Sequence, residues 1–151
     1  MKDSKILLRA LLILSVLTGS GCRDEEADLD SLKSAINEYE SAWASEDFLK
    51  VESFFTDDAK RLHTEPDVWD RAEISRYFEE RAAEASKNPN SKPPADWKSG
   101  REYIEIRVEG DIAYDIFTTD SFKAMHIWER QADGSWKIKY DMGILNQPEE
   151  E

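Results

Sequence analysis

Two side chains in this 151-residue sequence have an ordinary pKa close to neutrality, His63 and His126. An imidazole with a pKa near ~6.5 both takes and gives a proton at physiological pH, so two of them facing one pocket supply a base and an acid. Proton abstraction beside a carbonyl, hydration and dehydration are the reactions such a pair serves. Two histidines with Asp115 or Asp141 as a third ligand also describe a zinc site, but their spacing has the form of no ligand motif. No metal and no cofactor is expected. A nucleophile elbow, a phosphate-binding loop and a paired-cysteine motif are all missing from the sequence. Each histidine also has a structural reading: His63, beside Arg61 and Glu65, as an exposed residue, and His126, in phase with Phe122, Ala124 and Trp128, as a hydrogen-bonded core group.

Holding two imidazoles in place takes a sheet and the helices that cover it. Phe122 to Leu145, FKAMHIWERQADGSWKIKYDMGIL, reads as two alternating strands joined at Ala132-Asp133-Gly134-Ser135, and an Asp-Gly turn between such strands is a strong hairpin signal. Before it, Tyr103–Val108 places Ile104, Ile106 and Val108 on one face. Glu109-Gly110-Asp111 turns that strand into Ile112–Thr119, with Ile112, Tyr114 and Ile116 on one face and Ala113, Asp115 and Phe117 on the other. Lys137, Lys139 and Asp141 alternate with Trp136, Ile138 and Tyr140, the pattern of a strand with one wet face. Met125 and Ile127, opposite in phase to His126, put apolar side chains on the other face.

The helices come earlier. Leu29, Leu32, Ala35, Ile36, Tyr39, Ala42 and Trp43 predict an amphipathic helix from Leu29 to about Ser45, with Asp28 or Asp30 as its cap. Asp47 caps a shorter helix over Phe48–Phe55, Thr56-Asp57-Asp58 turns, and Ala59–Thr64 is extended. Asp70-Arg71-Ala72-Glu73 has the spacing of a capping box, which predicts a third helix running to about Ser86 with Ile74, Tyr77 and Phe78 on its inner side. Lys87 to Ser99 holds three prolines and no periodicity, and so reads as a long loop with Trp97 as its one candidate anchor.

Composition bounds the function. Apolar residues make up 40% of the chain, with five Trp, five Tyr and six Phe, enough for one core and one domain. The net charge is −13, and without residues 1–21, which carry Lys2, Lys5 and Arg9 against Asp3, it is −15. A surface that acidic repels phosphate backbones, so nucleic acid is not an expected partner.

Residues 1–21 read as a signal peptide, a basic start followed by the apolar run Ala10–Thr18, well short of the ~20 residues that span a membrane. Gly19-Ser20-Gly21-Cys22 resembles a bacterial lipobox, departing from it at Gly19. The resemblance implies a lipidated Cys22, residues 22–28 as a tether, and an exported protein held in the cell envelope. One cysteine forms no internal disulfide, so the fold stands on packing.

AINEYESAWASEDFLKVESFFTDDA at Ala35–Ala59 and WERQADGSWKIKYD at Trp128–Asp141 resemble the SnoaL-like group of the nuclear transport factor 2-like superfamily. The resemblance implies an α+β, cone-shaped domain over residues 29–147, three N-terminal helices on a curved, mainly antiparallel sheet, with 148–151 as a tail. That superfamily spans isomerases, cyclases, dehydratases and association domains, so fold is implied more strongly than activity. In its ketosteroid isomerases a helix tyrosine, an acidic base and a strand acid act together, and their positions fall here on Tyr39, His63 and His126. A histidine does not replace a neutral acid that donates to an oxyanion, so that isomerase activity is not carried over. What remains is His63 and His126 as base and acid, Tyr39 orienting a substrate oxygen, and Trp43, Tyr77, Tyr114, Trp128 and Tyr140 as pocket walls.

The leading expectation is an exported, lipid-anchored homodimer that binds a small apolar or amphipathic molecule. The alternatives are an isomerase- or dehydratase-like enzyme using His63 and His126, and a non-catalytic dimerisation or interaction module.

Overall fold

The computed structural model describes residues 24–62, 67–87 and 101–146, so His63, Cys22, Trp97, the signal peptide and the tail lie outside the described residues. Helix α1, Glu25–Ala44, buries Leu32, Ile36, Tyr39 and Ala42 along one face. It begins four residues before the expected Leu29. Asp24 is the cap, accepting from the backbone N–H groups of Glu26 and Ala27, and Glu25, Glu26 and Asp28 form an acidic first turn that the helix dipole favours. Residues 25–28, read as tether, are therefore helical, and Asp28 pairs with Arg130 of the sheet at 2.6 Å.

Asp47 caps α2, Phe48–Glu52, which stops before Phe55. Phe55 instead opens strand β1, Phe55–Leu62, so the expected turn at Thr56–Asp58 is strand, with an irregularity between Phe55 and Lys60. Strand β2, Val68–Trp69, is too short to show any alternation in sequence; it pairs antiparallel with the end of β1. Helix α3, Arg71–Lys87, has both halves of its capping box: Asp70 accepts from the backbone of Ala72 and Glu73, and Glu73 accepts from the backbone of Asp70.

Strands β3 (Glu102–Glu109), β4 (Ile112–Thr118), β5 (Phe122–Arg130) and β6 (Trp136–Leu145) complete one six-stranded sheet in the order β2-β1-β6-β5-β4-β3. β1 and β6 are parallel and the other neighbours antiparallel, so the sheet is mixed. The β5–β6 hairpin turns where the Asp-Gly pair stands. Gly134 takes φ +86, and the Asp133 carboxylate accepts from the backbone and hydroxyl of Ser135. The core lies between the helices and the inner face of the sheet, built from Leu32, Ile36, Phe55, Phe78, Trp128 and Ile138 among others.

Two β-bulges decide which side chains face that core. In β3, Tyr103 pairs with Phe117 and Glu105 with Ile116, leaving Ile104 as the extra residue. Ile104 is 62% exposed, and Tyr103 joins Ile106 and Val108 against the core. In β6, Trp128 pairs with Ile138 and Ile127 with Tyr140, leaving Lys139 as the extra residue. A one-residue slip exchanges the faces of everything beyond it. Tyr140 is consequently outside, and Asp141, expected on the wet face, is inside opposite His126.

Candidate functional site

His126 sits in the middle of β5, on the inner face, and is 4% exposed. Its cross-strand partners are Asp115 on β4 and Asp141 on β6, so the imidazole lies between two carboxylates. Nδ1 is 3.2 Å from both oxygens of Asp115. Nε2 is 3.7 Å from Asp141, close enough to attract but too long for a hydrogen bond. Trp128, two residues further along the same face, donates its indole N–H to Asp115 at 2.5 Å, which leaves that fully buried carboxylate with two partners. The Nε of Arg61, from β1, meets Asp141 at 2.8 Å.

Helix α1 delivers Tyr39 to the same place. Its ring stands edge-on to His126 at 5.4 Å and to Trp128 at 6.0 Å, and Phe117 approaches His126 from β4 at 5.4 Å. Beyond them, Glu40 of α1 accepts from both Arg101, at 2.7 Å, and the Tyr103 hydroxyl, at 2.5 Å, while the Arg101 guanidinium lies 3.8 Å from the ring centre of Phe117. On the opposite side the Arg61 guanidinium is surrounded by Trp69, Tyr77 and Phe78 at 5.5, 5.1 and 5.8 Å.

The electrostatics follow from this packing. Burial by itself would lower the pKa of His126, but the charge of Asp115, its hydrogen bond to the ring and the charge of Asp141 outweigh burial and hold the imidazole above its ordinary value. The Tyr39 hydroxyl is pushed far above its usual range, first by desolvation and then by Asp141, and stays neutral. The cluster therefore sets two carboxyl groups beside a guanidinium and an imidazole whose protonated form they favour, next to a phenol that keeps its proton. Among the described residues no three His, Cys, Asp or Glu side chains are arranged to hold a metal ion. Asp115 and Asp141 lie on opposite edges of the His126 ring and do not converge on one point with it.

Of the residues singled out in the sequence, Tyr39, His126 and Trp128 are brought together on the inner face, with Trp43 nearby and in edge contact with Tyr39 at 6.4 Å. Tyr77 stands at the border, its ring tilted against Trp69 at 5.3 Å. Tyr114 and Tyr140 are on the outer face and wall no inner pocket. Tyr114 alternates with the buried Ala113 and Asp115, and Tyr140 is turned out by the Lys139 bulge. The sequence offers Asp115 and Asp141 a role only as alternative third zinc ligands, and Arg61 none beyond standing beside His63. The one signal that could have marked Asp115 is an acid in phase with Ala113 and Phe117; nothing local marked Asp141, because the bulge that turns it in leaves no trace in the alternation.

No family model matches the sequence, and no relative is found among the curated proteins. Solved structures do resemble the chain. A ketosteroid isomerase-like protein from Erwinia carotovora atroseptica superposes with a TM-score of 0.58 at 14% identity, over 80% of this chain and 98% of that one. A nuclear transport factor 2-like protein of unknown function from Pseudomonas putida gives 0.61 at 14% identity, over 83% and 91%. Another, from Shewanella baltica, gives 0.61 at 12% identity, over 82% and 97%. The chain has the nuclear transport factor 2-like fold, an α+β architecture with helices on a mixed sheet; at such identities the likeness extends to the fold alone.

Proposed function

We propose that this chain is an exported, lipid-anchored domain whose cone-shaped interior holds a small apolar or amphipathic molecule against His126. The observation that carries the reading is the arrangement of the imidazole. Its Nδ1 is engaged by Asp115, while Nε2 stands 3.7 Å from Asp141 with no hydrogen bond of its own to it. A protonated ring so placed offers one N–H to a ligand oxygen, and the rings of Tyr39, Phe117 and Trp128 around it suit a flat, mostly apolar body. Thermal-shift and native mass spectrometry of the full chain against small carbonyl and aromatic compounds test this. A ligand whose binding is lost in His126→Gln supports it, and a library without a hit in either assay sinks it.

A second reading makes the same cluster catalytic, with isomerase- or dehydratase-like chemistry. It is favoured by a buried imidazole whose pKa is raised, beside a neutral Tyr39 hydroxyl, two groups able to donate to an oxygen that gains charge. In that case His126 is the acid rather than the base, and His63 is the candidate base. Turnover abolished by His126→Gln and by Tyr39→Phe separates catalysis from binding. The outer face supports a homodimer: Ile112, Tyr114, Ile116, Met125 and Ile127 line one apolar depression on β4 and β5, away from the buried cluster.

A further inference from the structure

Resting on the reading of the inner face as a ligand site, we infer that Arg61 is the gate of that site and that it selects for uncharged molecules. Around the buried cluster, two guanidinium groups stand between His126 and the edges of the inner face. Arg101 is held by Glu40 and stacked on Phe117, and Glu40 also holds Tyr103, so α1, β3 and β4 are clamped together on that side. Arg61 is bound differently. Among the described residues it pairs with Asp141, and its guanidinium lies against the faces of Trp69, Tyr77 and Phe78. Trp69 belongs to β2, which among the described residues pairs with β1 at two positions, Arg61 with Trp69 and Leu62 with Val68. An edge strand held by so few pairings is the part of a sheet that opens at least expense.

The order of contacts defines a route. From the half-buried Trp69–Tyr77 pair it leads to the Arg61 guanidinium, then to Asp141, then to the free side of the His126 ring. Displacing Trp69 and swinging Arg61 aside uncovers His126 without disturbing Asp115, Trp128 or the Arg101 clamp. The same geometry sets the charge of the guest. With Arg61 on Asp141 at 2.8 Å, that buried carboxylate is matched by a cation. An anionic guest either adds an unbalanced buried charge or draws Arg61 away and leaves Asp141 alone between β1 and β5, and both are heavily penalised in a buried setting. A neutral molecule with an acceptor oxygen incurs neither penalty.

The test reads the gate and the selection separately. Deuterium exchange at the imidazole C2 carbon, followed across pH by mass spectrometry on the full chain so that the ring's pKa and its exchange rate are fitted together, reports access to His126. Trp69→Ala leaves the Arg61–Asp141 pair and the Asp115–His126 contact intact, and Arg61→Gln removes the gate itself; each is expected to speed exchange at His126 at least tenfold. Naphthalene-2-carboxamide and naphthalene-2-carboxylate form a matched neutral and anionic pair, and the amide is expected to bind at least tenfold more tightly to the unaltered chain. Unchanged exchange in both variants overturns the gate, and equal or tighter binding of the carboxylate overturns the selection. If neither probe binds, the ligand reading falls with the charge selection, while the exchange rates still decide the gate.

Discussion

Replacing Asp115 with Asn changes one oxygen for an NH2 group in a fully buried position, so its consequences can be worked from the contacts. The carboxylate takes the Trp128 indole N–H and the His126 Nδ1–H at once. An amide oxygen can keep one of these donors while its own NH2 faces the other, leaving a buried donor unpaired, about 1–3 kcal/mol. Loss of the charge beside the imidazolium brings the total toward the ~3–5 kcal/mol typical of breaking a buried ion pair. A melting temperature lower by roughly 10 °C follows for a domain of this size. The pH dependence should change sign as well. In the native chain the folded-state pKa of His126 is raised, so its contribution is complete below the unfolded value near ~6.5 and is lost as pH rises through the folded value. Without Asp115, burial becomes the dominant influence and the folded pKa falls below the unfolded one. Stability of Asp115→Asn then drops as the solution is acidified through ~6.5, and the gap from the native chain is widest at low pH. Urea unfolding of the native chain, Asp115→Asn and His126→Gln between pH 5.5 and 9 measures all of this. A loss under about 1 kcal/mol together with an unchanged pH slope in Asp115→Asn would refute the reasoning.

Other outcomes follow from single contacts. Asp70→Ala removes the acceptor for the backbone N–H groups of Ala72 and Glu73, so it should destabilise the chain by about 1 kcal/mol in urea titration, with the His126 titration by NMR unmoved. Tyr39→Phe keeps the edge-to-face packing, so it should change stability by about 1 kcal/mol or less while weakening any ligand that contacts the hydroxyl. Met125→Asp places a charge in the apolar depression of the outer face; sedimentation should show a dimer dissociating while the fold stays intact, and an unaltered sedimentation coefficient would argue against that face as the interface. Ile104→Ser, at the exposed bulge, should stay within about 0.5 kcal/mol of the native chain in the same titration.

Local chemistry determined much of this protein from the sequence alone. The capping box at Asp70 and Glu73, the Asp47 cap and the Asp-Gly hairpin were legible because each is made by residues within four positions of one another, and each forms as expected. The inward phase of His126, Ala124 and Trp128 was legible too, because β5 alternates without interruption along that stretch. Only the tertiary structure decided which polar groups meet His126. Asp141 and Tyr140 exchange faces at the Lys139 bulge, and a bulge is set by how β6 must bend between β1 and β5 rather than by any residue type at that point. Arg61 arrives from a strand parallel to β6 and about eighty residues away in sequence, and Tyr39 from a helix still further back. Contacts of that separation depend on how whole elements pack, and a periodicity read along one element cannot contain them.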